Sequence, residues 1–305
     1  MTETINVMTV SGGKDSTAMW IYAIKELGVE VSAVFNDTGN EHPMTYEYID
    51  YLESVLGPIK RVKADFSKQI AHKREVVQTK WRDDGVSEEI VQQALEMLHP
   101  TGNPFLDLCL WKGRFPSTKR RFCTQELKII PNLEQVYIPL LEAGYQVISW
   151  QGVRAQESAA RAKLAEWEDT PEGYRIYRPI LKWTVEEVFE MHRRHGIKPN
   201  PLYTMGMGRV GCMPCINCGK QELFEIARRF PEQINRIAKW EETVKKASKR
   251  GAGSFFPTAN GRDTEGIYDE VEWSKTTWGG KQYDLIKAIE MEDIPVCSSQ
   301  YGLCE

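Results

Sequence analysis

The run that most constrains this chain is a glycine-rich loop between a predicted strand and a predicted helix. An apolar segment over residues 5–10 precedes the loop, and a helix-like run over residues 17–27 follows it. The start of such a helix attracts anions, because its backbone N–H groups are unpaired and the helix dipole is positive there. Glycines permit close backbone approach, and serine and lysine add polar contacts. We therefore predict a phosphate loop formed by Ser11, Gly12, Gly13, Lys14, Asp15 and Ser16.

The phosphate loop lacks the spacing of a Walker A motif. It resembles instead the pyrophosphate loop of the N-type ATP pyrophosphatases and of the related sulfonucleotide (PAPS) reductases. The resemblance implies that the loop binds ATP, with Mg²⁺ bridging the phosphates. It also implies that ATP is cleaved between its α and β phosphates and that the γ-phosphoryl group is not transferred.

The composition limits the class of protein. The 305 residues carry a formal net charge of −4, so the overall charge gives no sign of nucleic-acid binding and any polyanion contact must be local. No apolar run approaches a membrane span and no signal-peptide pattern is present, so we expect a cytoplasmic protein with no membrane partner. In a reducing compartment, seven cysteines favour metal binding or redox chemistry over a disulfide framework.

The alternation of strands and helices predicts a doubly wound α/β fold, with a mainly parallel sheet and helices on both faces. A smaller helical region that carries most of the cysteines follows it. We expect an adenine-nucleotide domain over residues 1–200 and the cysteine-bearing region over residues 201–305. Residues 67–122 are predicted to be a helical and basic insertion, and the part before residue 100 is expected to be solvated.

Local signals give further expectations. Thr184 and Glu187 predict a capping box at the start of a helix. The helix over residues 127–141 is expected to break at its two prolines, Pro131 and Pro139. His192 and His195 are predicted to lie at the surface, because no metal-type partner stands near them in the sequence.

Two further strand ends are expected to face the phosphate loop, because ligands in open α/β sheets lie beyond the carboxyl ends of the strands. The first ends in Asp-Thr-Gly, where the family that this sequence resembles holds adenine and ribose. The second leads into Gly-x-Arg-x-x-Glu-Ser-x-x-Arg, which is similar to the family's second anion-binding segment. A helix that begins by the first arginine would place both arginines near one face. The predicted nucleotide contacts here are Asp37, Thr38, Gly39, Gly152 and Arg154, and Lys14, Arg154 and Arg161 are expected to stabilise the leaving pyrophosphate.

Three cysteines with Cys-x2-Cys-x2-Cys spacing occupy a loop that contains glycine and proline. Their thiolates can converge on zinc, which takes four N or S ligands, or on an iron–sulfur cluster, which takes four thiolates. A further cysteine lies in a basic segment over residues 112–128, whose cations can offset cluster charge or bind a polyanionic substrate. The candidate ligands are Cys123, Cys212, Cys215 and Cys218, with Cys297 and Cys304 as rivals of Cys218.

The order of motifs adds to the resemblance. Cys123, Lys128 and Pro131 precede a Gly-Cys-x-Pro-Cys motif at residues 211–215. Sulfonucleotide reductases and iron–sulfur sulfurtransferases carry this order, which implies a [4Fe–4S] cluster in preference to zinc. The chain departs from the pattern at Thr124, where assimilatory adenylylsulfate reductases have a second cysteine. It also keeps the complete phosphate loop, which reductases commonly lack.

The resemblance implies an ATP-dependent iron–sulfur sulfurtransferase, similar to the enzyme of DNA phosphorothioate modification. The enzyme would adenylate an acceptor with release of pyrophosphate, and a sulfur species from the cluster or a cysteine would then displace AMP. Nucleic acid is a candidate acceptor, and a cysteine desulfurase or thiol reductant is a candidate partner. One alternative is a sulfonucleotide reductase in which Cys304 attacks bound PAPS or adenylylsulfate and sulfite is released. The other is a non-catalytic nucleotide-binding module whose cysteines hold zinc.

Overall fold

A six-stranded sheet forms the centre of the fold. The strands are β1 (Thr4–Val10), β2 (Ser32–Asp37), β3 (Ile59–Lys63), β4 (Gln146–Trp150), β5 (Trp167–Asp169) and β6 (Arg175–Tyr177). They lie in the order β3-β2-β1-β4-β6-β5, and all neighbours pair in parallel except β5 with β6. The strand order reverses between β1 and β4, which is where such sheets bind ligands. The computed structural model describes residues 3–256, 266–277, 284, 289–291 and 297–303.

The helices surround this sheet and extend beyond it. Short π-helical turns join α6, α7 and α8 into one continuous helical run. The helices are α1 (Lys14–Ile21), α2 (Pro43–Leu56), α3 (Ser67–Val76), α4 (Glu88–Met97), α5 (Pro104–Lys112), α6 (Phe122–Thr124), α7 (Ile130–Asn132), α8 (Ile138–Glu142), α9 (Val185–Arg194), α10 (Lys220–Arg229), α11 (Pro231–Lys246) and α12 (Ile267–Ser274).

Alternate side chains of β1 belong to two different hydrophobic cores, one on each face of the sheet. Met8 and Val10 lie in a core that includes buried residues of α1, α2 and α9. Val7 points to the other face, where it shares a core with Val136 and Tyr137 from the run α6–α8. Since successive side chains of a strand point to opposite faces, both faces of the sheet are covered. The predicted α/β fold with helices on both faces and a helical C-terminal region is confirmed.

A third core lies outside the sheet. Ile70, Val77 and Trp81 share it with Phe105 from α5 and Trp240 from α11, whose rings stack at a centroid distance of 5.7 Å. The expectation that the segment before residue 100 is simply solvated is therefore wrong, because its apolar side chains share a core with those of α5 and α11. The division into domains at residue 200 stays a prediction.

One local expectation needs correction. Pro131 and Pro139 do not break the helical run, since each follows a wider π-helical turn, Gln125–Ile129 or Leu133–Tyr137. Such a turn shifts the carbonyl that would otherwise clash with the proline ring. Within the part of the chain that the structure describes, no helix is long and apolar enough to cross a membrane.

Candidate nucleotide site and cysteine cluster

A cavity of about 410 Å³ lies at the carboxyl end of the sheet, beneath the run α6–α8. This volume falls within the range of ~300–1,000 Å³ that is usual for small-molecule sites. The phosphate loop, the end of β2, the segment after β4 and the helical run all contribute to its wall. The lining residues used below are Thr9, Ser11, Ser16, Phe35, Asn36, Glu41, Lys128, Asn132, Tyr137, Ser149, Gly152, Arg161, Tyr174 and Gly211.

The phosphate loop is held closed by its own serines. The backbone N–H of Ser11 donates to Ser16 Oγ at 3.2 Å, and Ser16 Oγ donates to the Gly13 carbonyl at 3.1 Å. Gly12 has φ +71°, a conformation that residues with side chains rarely adopt. Ser11 and Ser16 line the cavity beside the start of α1, where the positive end of the helix dipole favours an anion, although the Lys14 N–H already donates to the Tyr203 hydroxyl.

The two predicted cations beside the loop share one carboxylate. Lys14 Nζ donates to Asp15 Oδ2 at 2.8 Å, and Arg154 Nε donates to Asp15 Oδ1. Lys14 and Arg154 are only 6% and 5% exposed. A phosphate group must therefore compete with Asp15 for these cations, and neither side chain lines the cavity in this structure.

Gly152 lies against the phosphate loop. A Cβ atom at this position would lie 3.0 Å from Ser16 Cα and 3.1 Å from Ser16 N, both of them backbone atoms that cannot move freely. We expect Gly152→Ala to lower the free energy of unfolding by about 1–3 kcal/mol and to weaken nucleotide binding. Urea unfolding tests the first effect. Gly219→Ala is the matched control, because open space surrounds Gly219. Equal stability of the two variants would contradict the assigned packing.

The two arginines after β4 do not share a helical face, so that expectation is wrong. Arg154 has an extended backbone, and only short 3₁₀ turns follow, at Ala155–Glu157 and Arg161–Lys163. Glu157 joins the two arginines, because its carboxylate accepts from the Arg154 backbone N–H at 3.1 Å and from the Arg161 guanidinium. Arg161 lines the cavity, whereas Arg154 is buried beside Asp15.

The Asp-Thr-Gly run after β2 forms a hydrogen-bonded loop. Asp37 accepts from the Gly39 N–H at 3.0 Å and from the Tyr46 hydroxyl at 2.7 Å. The buried Thr38 hydroxyl donates to Glu41 Oε1 at 2.7 Å. At this strand end the cavity wall is formed by Phe35, Asn36 and Glu41, while Asp37, Thr38 and Gly39 support it from behind.

The cysteine loop over residues 211–219 docks directly on this β2 loop. The Met213 N–H donates to the Asn40 carbonyl at 2.7 Å, and the Asn40 side chain donates to the Pro214 carbonyl at 2.9 Å. Cys212 forms a β-bridge with Glu41. Gly211 and Glu41 line the cavity, so the cysteine motif begins at the wall of the candidate nucleotide site.

Two cations face the thiols. Burial lowers the pKa of Lys128, but negative charge on Cys212, Glu41, Cys215 and Cys123 outweighs this effect and raises it. The Arg209 guanidinium donates to Cys215 Sγ at 3.1 Å. Burial lowers the pKa of Arg209, but negative charge on Cys215 and Glu222 outweighs burial and raises it. Burial and the Glu41 charge raise the pKa of Cys212 to about 12. Burial followed by the Cys215 charge raises the pKa of Cys123.

In this structure each thiol of the cysteine loop contacts a different polar group. Cys212 Sγ lies 3.5 Å from the Thr38 hydroxyl, and Cys218 Sγ lies 3.5 Å from the Gly219 carbonyl. Among the described residues, no three Cys, His, Asp or Glu side chains are arranged to hold a metal ion. The donor set nevertheless fits a thiolate-ligated group, since soft ligands and compensating cations are both present. Of the two rivals, Cys297 is disulfide-bonded and Cys304 lies outside the described residues.

The family model of the phosphoadenosine phosphosulfate reductase domain matches residues 5–218. This chain belongs to that family. The match begins within β1 and ends at Cys218, so it includes the phosphate loop, the cavity and all four candidate cysteine ligands. Membership of the PAPS reductase domain family confirms the resemblance proposed from the motifs.

Relatives of this PAPS reductase domain protein differ in their sequence identity to it and in the fraction of the chain that they match. An uncharacterised 37.8 kDa protein of Escherichia phage 186 is 53% identical, over 99% of this chain and 97% of its own length. An adenosine 5′-phosphosulfate reductase of Allochromatium vinosum is 38% identical over 21% of this chain, and the match spans 25% of that enzyme. A PAPS reductase from Candida auris, solved as a phosphate complex, gives a TM-score of 0.42 at 16% identity and covers 69% of this chain and 82% of its own.

The expectation that His192 lies at the surface is wrong, because its side chain is buried inside the protein. It is 1% exposed on α9, and its Nε2 lies 3.1 Å from the Lys14 carbonyl oxygen. Its Nδ1 lies 3.1 Å from the Ile197 carbonyl oxygen. The Lys14 N–H donates to the buried Tyr203 hydroxyl at 2.9 Å, so α9 and the segment after it clamp the phosphate loop from behind. His195, in contrast, contacts Glu26 near the surface.

Burial lowers the pKa of His192 below its ordinary value of 6.5, although the two carbonyl contacts oppose the shift. Below pH 6.5 the unfolded chain therefore takes up a proton at His192 more readily than the folded chain does. The free energy of unfolding consequently decreases as the pH is lowered. We expect His192→Gln to remove up to about 1.4 kcal/mol per pH unit of this slope. Urea unfolding between pH 7.5 and 5.5 measures it, with exposed His72→Gln as control. An unchanged slope in His192→Gln would contradict the assignment.

Proposed function

We propose that this protein is an ATP-dependent iron–sulfur sulfurtransferase that adenylates an acceptor and then transfers sulfur to it. The observation that carries the proposal is the position of Lys128. Its side chain lines the nucleotide cavity, and its pKa responds to Cys123, Cys212 and Cys215. A nucleotide in the cavity and a group held by these cysteines would therefore act in one cleft.

In this proposal the phosphates of ATP lie at the phosphate loop, and bound Mg²⁺ would offset part of their negative charge. An acceptor oxygen attacks the α-phosphorus, the bond between that phosphorus and the bridging oxygen breaks, and pyrophosphate leaves. The negative charge that develops is stabilised by backbone N–H groups at the start of α1 and by Arg161 on the cavity wall. Lys14 and Arg154 contribute once the phosphates displace them from Asp15.

The cysteines would hold a [4Fe–4S] cluster through Cys123, Cys212, Cys215 and Cys218. When bound, such a cluster supplies redox chemistry and an iron site that can bind sulfur. Lys128 and Arg209 would offset the negative charge of the ligating thiolates. The present hydrogen bonds of Cys212 and Cys218 must be exchanged for metal bonds, which costs little because hydrogen bonds to sulfur are weak.

The sulfur step follows adenylation of the acceptor. A cysteine desulfurase supplies persulfide sulfur, and a thiol reductant reduces it to hydrosulfide as the thiol is oxidised to a disulfide. The hydrosulfide attacks the acceptor atom that carries the adenylate, and AMP leaves with the electrons of the broken bond to oxygen. Nucleic acid is the proposed acceptor. Support comes from the exposed Lys119, Arg120 and Arg121, which stand immediately before Cys123 and can contact phosphates.

Pyrophosphate release tests the proposal directly. Anaerobically purified protein with ATP, Mg²⁺ and RNA or DNA should release pyrophosphate, and it should release AMP when hydrosulfide is added. If sulfite instead appears from PAPS with a thiol and without ATP, the sulfonucleotide reductase is the correct assignment. If neither reaction occurs and the protein contains zinc, the non-catalytic module is correct.

The reductase remains the second candidate because of one specific observation. The C-terminal segment over residues 297–303 packs beside the phosphate loop: the Tyr301 hydroxyl donates to the Gly208 carbonyl at 2.6 Å, and Lys14 Nζ lies 5.4 Å from the centre of the Tyr301 ring. In this alternative Cys304, which follows this segment in the sequence, would be the nucleophile. Its thiolate would attack the sulfur, the nucleotide would leave, and a second thiol would release sulfite.

A further inference from the structure

The sheet face beneath the run α6–α8 changes from apolar to polar along three neighbouring strands. Val7, Val34 and Val147 belong to the core on that face. Two positions later on the same strands stand Thr9, Asn36 and Ser149, and all three line the cavity. Since residues two apart point to the same face, the polar side chains form a floor at the carboxyl end of the sheet.

The opposite wall comes from the helical run. Tyr137 is fixed, because its hydroxyl lies 2.9 Å from Ser149 Oγ and its ring stacks on Tyr174 at 4.6 Å. Asn132, at the end of α7, lines the same cavity. The floor and this wall belong to the cavity that also contains Ser11 and Ser16, so a ligand with its phosphates at the loop can extend into the polar part.

Two carboxamides in this part of the cavity lack hydrogen-bond partners for their oxygens. Asn36 is 9% exposed and Asn132 is 6% exposed, and among the described residues neither Oδ1 atom has a partner. A buried polar atom without a partner is destabilising, and such atoms in native proteins usually have a specific reason. Each oxygen can accept a hydrogen bond from an N–H or O–H group of a ligand.

We propose that Asn36 and Asn132 are the base-specificity residues of the nucleotide site and that they select a 6-aminopurine. The exocyclic amino group of adenine has two N–H donors, one for each carboxamide oxygen, and asparagine is well suited to the adenine edge. A 6-oxopurine presents an acceptor at the same place and would leave both oxygens without partners. The inference deepens the proposed function, and it rests only on the part of that function that places a purine nucleotide in this cavity.

The test compares the dissociation constants of ATP and of inosine triphosphate, its 6-oxo analogue, by calorimetry on the full chain. We expect wild type to bind ATP at least about tenfold more tightly. Asn36→Leu and Asn132→Leu, which keep side-chain size, should bring the ratio of the two constants close to one. Gln135→Leu is the matched control, because this amide lies on the same helical run but bonds to the Lys63 carbonyl outside the cavity.

Asn132→Asp is a second variant in case an apolar residue is not tolerated. It keeps an acceptor oxygen, so the preference for ATP should remain even if added charge weakens both nucleotides. Equal binding of the two nucleotides by wild type would overturn the inference while leaving the proposed function intact. So would an unchanged ratio in folded Asn36→Leu and Asn132→Leu. No binding of either nucleotide would overturn the proposed function and the inference together.

Discussion

Replacing Lys14 by alanine should reduce pyrophosphate release from ATP by about 100-fold or more. Lys14 is the lysine of the phosphate loop, and removing one charged or hydrogen-bonding group that stabilises a leaving group typically has an effect of this size. The variant should still fold, because Asp15 keeps its second partner, Arg154. Pyrophosphate release under saturating ATP measures the effect.

The matched control is Lys25→Ala, which removes an exposed lysine just beyond α1. It should release pyrophosphate at the wild-type rate. If Lys14→Ala is as active as this control, Lys14 does not act on the phosphates. The pairing with Asp15 would then be its whole role.

Replacing Cys212 by alanine should abolish the brown colour of anaerobically purified protein, with its absorption at about 400 nm, and the bound iron. Wild type should contain about four iron atoms per chain, and the variant close to none, because a [4Fe–4S] cluster needs four thiolates. Metal analysis and the visible spectrum provide the measurement.

Cys109→Ala is the control for this experiment. Cys109 is a fully buried thiol on α5, and it is not one of the four candidate ligands. Its loss should leave iron and colour unchanged. A colourless wild-type protein that contains zinc would show that the iron assignment is wrong and would favour the non-catalytic module.

Much of the fold could be read from local patterns. The predicted strand, phosphate loop and helix form as β1, the loop and α1, and the Thr184–Glu187 capping box forms with hydrogen bonds of 2.7 and 3.2 Å. These features depend on residues close together in the chain, so the sequence displays them directly. The edge strand β5 was not predicted, because its three residues are all exposed and lack an apolar pattern.

The sequence predicted only some of the residues that line the candidate site. The sequence pointed to Asp37 and its neighbours, but the structure places Asn36 and Glu41 on the cavity wall. One signal was available, since Asn36 stands two positions after Val34 and is therefore a polar residue on a buried strand face. For Asn132 there was no such signal, because only the packing of the helical run over the sheet places it in the cavity.

By itself, the sequence determined the phosphate loop, its position between β1 and α1, and the cysteine spacing, since each depends on backbone conformation and ligand chemistry within a short segment. Only the tertiary structure decided that Asp15 joins Lys14 to Arg154 and that His192 supports the loop from α9. Only the tertiary structure, too, placed Lys128 between the cavity and the thiols. These contacts join residues that are distant in the chain, and packing rather than local periodicity brings them together.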